Sequence, residues 1–282
     1  MVKIAVIGIC GNSIFLPVEH FHRPGETLVA TACFEEVGGK GINQAIAAAR
    51  FGAQVSFLAA IGDDESGRSC ARQIEQTGVC GTFVCRKGEK STFAFILTDK
   101  TGENRVTVYR GAQLQEADVA AFEEEIAQSQ VLLLQNEVPE AVNIAAAKIA
   151  KKHGVTVILN PAPSRPISEK LAKLSDVVTP NEQEAEATQN HPFPTRVVTL
   201  GAKGCCINDN ITIPAYPVEA VDTTGAGDTF SGVLAVSLAQ GKDLEEGCQF
   251  ASAAAALSVT KRGVLDAIPY KADIERMVSY GK

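Results

Sequence analysis

The chain has 282 residues, 45% of them hydrophobic, and a formal net charge of -7. That length buries a large core in one domain or two, and the charge, with no basic stripe, argues against nucleic acid or an anionic membrane as partner. The apolar start Met1–Cys10 is too short for a signal peptide and no run reaches the ~20 residues of a membrane helix, so a cytoplasmic protein is expected. Eight cysteines are scattered without a Cys-x-x-Cys pair, and the four histidines cluster with none of them. They are expected to be reduced apolar fillers rather than disulfides or zinc ligands.

Val2–Ile9 is expected to be the first buried strand. Ile14–Val37 follows, with extended segments around Arg23-Pro24-Gly25-Glu26, and then Gly38-Gly39-Lys40-Gly41-Ile42-Asn43 opens a helix closed by Gly52. From Val55 short β-rich runs alternate with helical ones. The strands are expected at Val55–Ala60, Val131–Gln135, Val155–Leu159, Asp176–Thr179 and Arg196–Leu200, and a helix at Pro139–His153 beside a cap at Gly154. Such alternation implies parallel strands with helices on both faces. Ser91–Arg110 departs from it as two strands, Thr92–Thr98 and Arg105–Tyr109. With Ile14–Val37 it is expected to form a small antiparallel sheet projecting from the α/β body. Two helices, Asp228–Gln240 and Leu244–Val259, end near Gly241 and Gly263.

The strongest chemical signal is Asp222-Thr223-Thr224-Gly225-Ala226-Gly227-Asp228-Thr229-Phe230. Phe230, Val233, Leu234 and Leu238 follow at amphipathic spacing, so a turn of small residues runs straight into a helix whose free N–H groups and dipole favour an anion. Asp228 at its mouth can take a proton from a hydroxyl that attacks a phosphoryl group. Alone, Asp228 is as well explained as a helix cap. Gly38–Asn43 is a second glycine-rich turn. It lacks Walker A spacing, but its glycines permit close backbone approach, and Asn43 offers a donor and an acceptor to sugar hydroxyls. In Thr179-Pro180-Asn181-Glu182-Gln183-Glu184, Asn181 and Glu184 form a capping box and can also face a hydrated Mg²⁺.

These motifs, in this order, resemble the ribokinase-like (PfkB) family of carbohydrate kinases over nearly the whole chain. Pro24-Gly25-Glu26-Thr27, Gly62-Asp63-Asp64, Leu134-Gln135-Asn136-Glu137, Asn160-Pro161-Ala162-Pro163, Thr199-Leu200-Gly201 and Val221-Asp222-Thr223 add to the resemblance. It implies an α/β three-layer sandwich with a central, mostly parallel sheet. It also implies one kinase domain over 1–282, with a small β-sheet lid from about 11–37 and 90–111. Asp228 would be the general base and Gly225, Ala226 and Gly227 the anion hole. Gly11, Ser13, Gly39, Lys40, Asn43 and Glu137 would be the sugar side. Asn181, Thr199, Gly201, Gly227 and Ser252 would face ATP, with Glu184 on Mg²⁺ through water. Asp222, Thr224, Ser258, Lys261 and Gly263 would hold a monovalent cation, mostly through backbone carbonyls. The lid would cover the sugar and pair two subunits as a homodimer.

Three departures bear on this. Gly11 and Ser13 stand where the family carries Asn-x-Asp after the first strand; one unpartnered sugar hydroxyl costs about 1–3 kcal/mol, a loss of about ten- to a hundredfold in affinity. Asn12 can substitute if the strand end shifts by one residue. Only 187–195 separates the Asn181 helix from the next strand, so that helix must make its crossover almost alone. Ala267 replaces a frequent Ser in the cation loop, which leaves K⁺ dependence open. The expected activity is transfer of the ATP γ-phosphoryl group to a hydroxymethyl group of a sugar, ribose first. The alternatives are fructose or another ketose or aldose, a nucleoside, or a non-catalytic sugar-sensing protein. Lys90, Arg105 and Arg110 read as solvated strand edges rather than a phosphate site, and Gly8 and Gly11 do not make a dinucleotide fingerprint.

Overall fold

The computed structural model describes residues 1–280. In chain order the strands are β1 (Lys3–Ile7), β2 (Gly11–Pro17), β3 (Phe34–Gly38), β4 (Gln54–Gly62), β5 (Cys80–Arg86), β6 (Thr92–Thr98), β7 (Asn104–Tyr109), β8 (Val131–Gln135), β9 (Thr156–Asn160), β10 (Val177–Val178), β11 (Thr195–Thr199), β12 (Cys205–Ile207) and β13 (Ile211–Ile213). The helices are α1 (Lys40–Arg50), α2 (Glu65–Glu75), α3 (Glu116–Ala121), α4 (Glu123–Ala127), α5 (Glu140–Lys152), α6 (Glu169–Leu174), α7 (Glu182–Thr188), α8 (Ala226–Ala239), α9 (Leu244–Ser258) and α10 (Lys271–Tyr280).

Nine strands form one sheet in the order β13-β12-β11-β10-β9-β8-β1-β4-β5, parallel from β11 to β5. Side chains alternate between two buried cores, as a sheet covered on both faces requires. Ile4, Val6 and Leu133 enter the core under α1, α8 and α9; Ala5, Ile7, Leu132 and Leu134 enter the one under α3, α4, α5 and α6. This is the expected three-layer α/β sandwich. The crossover from β10 to β11 is made by α7 alone, as the short 187–195 segment demands.

Several expectations are corrected. The β12–β13 hairpin is antiparallel and ends the sheet, turning at Asn208 and Asp209, both at positive φ (49 and 56). β5 was not foreseen, because Cys80–Arg86 carries a Gly and an Arg and its burial is mixed. α8 is not amphipathic: Asp228 to Ser237 are all buried, since the helix is sandwiched between α1 and α9. A Cβ on Gly232 would stand 2.5 Å from the Gln44 carbonyl oxygen, so this glycine sets the approach of α8 to α1. Gly263 does not cap α9, which ends five residues earlier at Ser258. All eight cysteines are free. Cys10, Cys70, Cys205 and Cys248 are buried, and their thiols meet in two pairs, Cys10 with Cys70 and Cys205 with Cys248. Cys33, Cys80 and Cys85 are exposed and fill no core.

The second sheet has four strands in the order β3-β2-β6-β7. β2 with β3 and β6 with β7 are antiparallel as expected, but the two pairs are joined by a parallel β2–β6 contact. That join is invisible locally, because β3, α1, β4, α2 and β5 all lie between these strands in the chain. Directly opposed residues share a face. One face therefore carries the rows Phe34-Phe15-Ile96-Val106 and Glu36-Ser13-Ala94-Val108.

Candidate active site

The site lies where β8, β9, β10 and β11 of the main sheet end, as ligand crevices in open parallel sheets do. A cavity of about 350 Å³ is lined by Lys40, Asn160, Ala162, Thr179, Asn181, Glu182, Glu184, Thr199, Gly201, Thr223 and Gly225–Asp228. Residues from five separate stretches of sequence are thus brought together, the Asp228 turn with Asn181, Thr199 and Gly201.

Asp228 is 5% exposed. Its Oδ2 accepts from Asn43 Nδ2 at 3.0 Å and its Oδ1 from Gln44 Nε2 at 3.1 Å. Gln44 is itself held: its Oε1 accepts from Gln135 Nε2 at 2.7 Å, and its amide also donates to Asn160 Oδ1 at 3.3 Å. Asn160 Nδ2 in turn donates to the Thr179 carbonyl at 2.8 Å. Gln44, Gln135 and Asn160 thus fix Asp228. Sequence reasoning missed these roles; the available signal was an amide closing each apolar strand, Gln135 after Leu134 and Asn160 after Leu159. Gln135 fits because Gly8 and Gly41 have no side chains, and a Cβ on either would stand 2.8 Å from its Oε1.

Gly225 begins α8 with φ 78, a conformation suited to glycine. The N–H groups of Gly227 and Asp228 have no protein acceptor among the described residues. A Cβ on Gly227 would meet nothing within 4 Å, and the residue lines the cavity. Free donors, open space and the helix N-terminus together can receive an anion.

Lys40 and Glu137 flank Asp228. Glu137 Oε2 accepts from the Lys40 N–H at 2.6 Å, at the start of α1. Burial raises the Glu137 carboxyl to about pKa 7, opposed by the Lys40 charge and helped by Asp228. Asp228 holds the Lys40 ammonium above its usual pKa against desolvation, with Glu137 adding to the effect. Asn43 spends its amide N–H on Asp228, and its Oδ1 is a buried acceptor without a partner. The glycines of the 38–41 turn have a different reason from the one expected. A Cβ on Gly38 would collide with Ser13 Oγ, one on Gly39 would stand 2.6 Å from the Ile9 carbonyl oxygen, and one on Gly41 would stand 2.7 Å from Gly8 Cα. They let protein strands meet, not only a ligand. Gly11 is closed off in the same way by the Thr92 backbone. Asn12 donates to Glu35 at 2.5 Å, so it is committed within the small sheet.

The capping box at Asn181 and Glu184 is present in full, and both residues also line the cavity. Ser252 is buried on α9 with its hydroxyl 4.0 Å from Cys205 Sγ, and it does not line the cavity. Asp222 Oδ1 accepts from the Thr224 N–H at 2.9 Å and its Oδ2 from the Gly263 N–H at 3.1 Å. The Ser258 hydroxyl donates to the Ala255 carbonyl at 2.8 Å, and Lys261 is exposed. Among the described residues no group of three or more His, Cys, Asp or Glu side chains is placed to hold a metal ion.

The profile of the pfkB family carbohydrate kinases matches residues 1–271. The chain belongs to this family. It is 39% identical over 290 residues to the ribokinase of Haemophilus influenzae, covering 94% of this chain and 95% of that protein. The crystal structure of the Thermotoga maritima ribokinase superposes with a TM-score of 0.89 at 33% identity, covering 99% of this chain and 100% of the other. An Arabidopsis thaliana ribokinase complexed with ribose and ATP gives 0.86 at 28% identity, with 99% of each covered. This PfkB protein is accordingly a sugar kinase, a phosphotransferase with an alcohol acceptor.

Proposed function

We propose that this PfkB kinase transfers the γ-phosphoryl group of ATP to the hydroxymethyl group of ribose. The observation that carries the reading is Asp228, a carboxylate oriented by two amides beside a helix N-terminus with unspent N–H groups. Asp228 takes the proton of the attacking hydroxyl as phosphoryl transfer begins. The turn Gly225-Ala226-Gly227 receives the charge that spreads over the transferring oxygens. On the acceptor side the orphaned Asn43 Oδ1, the Glu137 carboxylate, Lys40, Gly39 and Ser13 meet the sugar hydroxyls. Asn181, Thr199 and Gly201, which line the same cavity, face the nucleotide. Glu184 has given one oxygen to the Asn181 N–H and keeps the other for water on Mg²⁺, which supplies charge to offset the phosphate oxygens.

Ribose is supported by the relatives' names and by the plant relative solved with ribose and ATP. A second reading, another sugar or a nucleoside, is favoured by β2. There Gly11 contributes no side chain, Ser13 offers one hydroxyl, and Asn12 is turned to Glu35. For K⁺, the side chains of Asp222 and Ser258 are already engaged, so carbonyls of the 222–224 and 258–263 segments are the proposed ligands. A homodimer through the small sheet is proposed from its exposed apolar residues Phe34, Val106 and Val108, which share one face. The free thiols fit a reducing compartment such as the cytoplasm. The test is ATP consumption across pentoses, hexoses, sugar phosphates and nucleosides, with and without K⁺. Ribose is expected to give the highest kcat/KM. A higher value for fructose or a nucleoside selects the second reading, and consumption stimulated by no acceptor defeats both.

A further inference from the structure

Glu36 lies on β3, three residues before Gly39 caps α1. It is the register partner of Ser13, so the two share a face of the small sheet. Its carboxylate leaves that sheet. Oε2 accepts from the Val264 N–H at 3.1 Å, and a Cβ on Gly263 would stand 2.5 Å from its Oε1. Among the described residues this is the only hydrogen bond from the small sheet to the loop 259–268. Glu36 does not line the cavity.

The loop it grips leads by two routes to the anion turn. The Gly263 N–H donates to Asp222 Oδ2 at 3.1 Å, and Asp222 Oδ1 accepts from the Thr224 N–H at 2.9 Å. Separately, the Val264 side chain packs on Gly225, with Cγ1 at 2.7 Å from where a Cβ would be. A single carboxylate on the small sheet therefore bears on both ends of the segment 222–225 that opens α8. The glycine at 263 suits its φ of 78, and a side chain there would push the Glu36 carboxylate aside.

We propose that Glu36 is a positioning residue: a latch through which the small sheet, seated over the acceptor, holds the turn Asp222–Gly227 in its phosphoryl-accepting geometry. The proposal rests on the kinase reading and adds a coupling to it. Phosphoryl transfer is fully supported only when the sheet is seated, so transfer to water from an unseated state is suppressed.

The test is kinetic, on the full chain, with the sugar that best stimulates ATP consumption. Glu36→Ala is expected to lower kcat about tenfold and to leave sugar KM within about threefold. It should raise the ratio of acceptor-free ATP hydrolysis to sugar phosphorylation by about fivefold or more. Glu36→Gln keeps an oxygen acceptor for the Val264 N–H and should stay within about threefold of the parent on each measure. In Glu36→Ala, hydrogen exchange over 259–266 in the sugar-bound protein should rise to the sugar-free level. If Glu36→Ala does not fold, Glu36→Asp, which withdraws the carboxylate by one methylene, should show the same split in smaller degree. Unchanged kcat and hydrolysis ratio in Glu36→Ala overturn the latch. So does a rise in KM alone, which would put Glu36 on the sugar, or a loss in Glu36→Gln equal to that in Glu36→Ala. A chain that no acceptor stimulates fails the kinase reading before any variant is made, so the two failures are distinguishable.

Discussion

The turn at Asp228 and the small sheet are the two regions on which the proposed reaction draws, and they are built on different principles. The Asp228 end is buried. Its carboxylate is fixed by Asn43 and Gln44, and Gln44 by Gln135 and Asn160, with every member on a core helix or at a strand end. The small sheet is open to solvent on much of its surface, with β7 exposed along its whole length and Val106 57% exposed. A satisfied buried network resists change, because an orphaned member costs its full desolvation. An exposed sheet can vary with little loss of stability. Under the proposed function, the contrast puts reaction type in the core and acceptor choice in the periphery, and the hydrogen bond from Val264 to Glu36 joins the two.

The comparison is broken hardest at Asp228. Asp228→Asn should keep the fold and sugar binding and lower kcat about a thousandfold, measured by steady-state ATP consumption with calorimetry for sugar affinity. Near-normal turnover would remove Asp228 as the base. Next in size is Gln44→Ala. It orphans Asp228 Oδ1 and Gln135 Nε2, a penalty of about 1–3 kcal/mol, and should lower both the melting temperature and kcat, the latter about tenfold to a hundredfold. A drop in stability with kcat intact would make the network structural only.

Glu137 sharpens the acceptor side through pH. Its folded pKa is raised from 4.5 to about 7 by burial, so the folded protein keeps a proton that the unfolded chain releases. The stability this confers is full below pH 4.5 and is lost as pH rises through 7. Thermal unfolding of Glu137→Gln should lack that decline. The ionised carboxylate is the better acceptor for sugar hydroxyls, so parent sugar KM should fall as pH rises through about 7 while Glu137→Gln stays flat. The smallest effect is expected at the rim. Val106→Asp should shift a dimer toward monomer in sedimentation at micromolar protein with the α/β body's stability changed by less than about 1 kcal/mol. An unchanged sedimentation coefficient places the pairing surface elsewhere or removes it.

Much of the body was legible because its signals are local. Val131–Gln135 is a strand because the apolar run Val131–Leu134 fits a sheet buried on both faces. Asn181 and Glu184 form their capping box within one helical turn, and His153 with Gly154 ends α5 by the same short-range rules. The two strand pairs of the small sheet were legible for that reason, and their parallel join was not, since nothing near β2 points to β6. The glycines at 38, 39 and 41 carried a signal with the wrong emphasis: their lack of side chains first serves contacts with Ser13, Ile9 and Gly8.

The sequence by itself determined the proposed reaction centre, a small-residue turn opening a helix at Asp228, because dipole, free N–H groups and carboxylate all belong to one short segment. Tertiary structure decided what holds that carboxylate and what bears on its turn. Gln44 is 184 positions from Asp228 and Glu36 is 228 positions from Val264, and only the packed fold closes such distances. The physical reason is range: capping and turn geometry act over a few residues, whereas the orientation of a buried charge depends on every polar group the core brings against it.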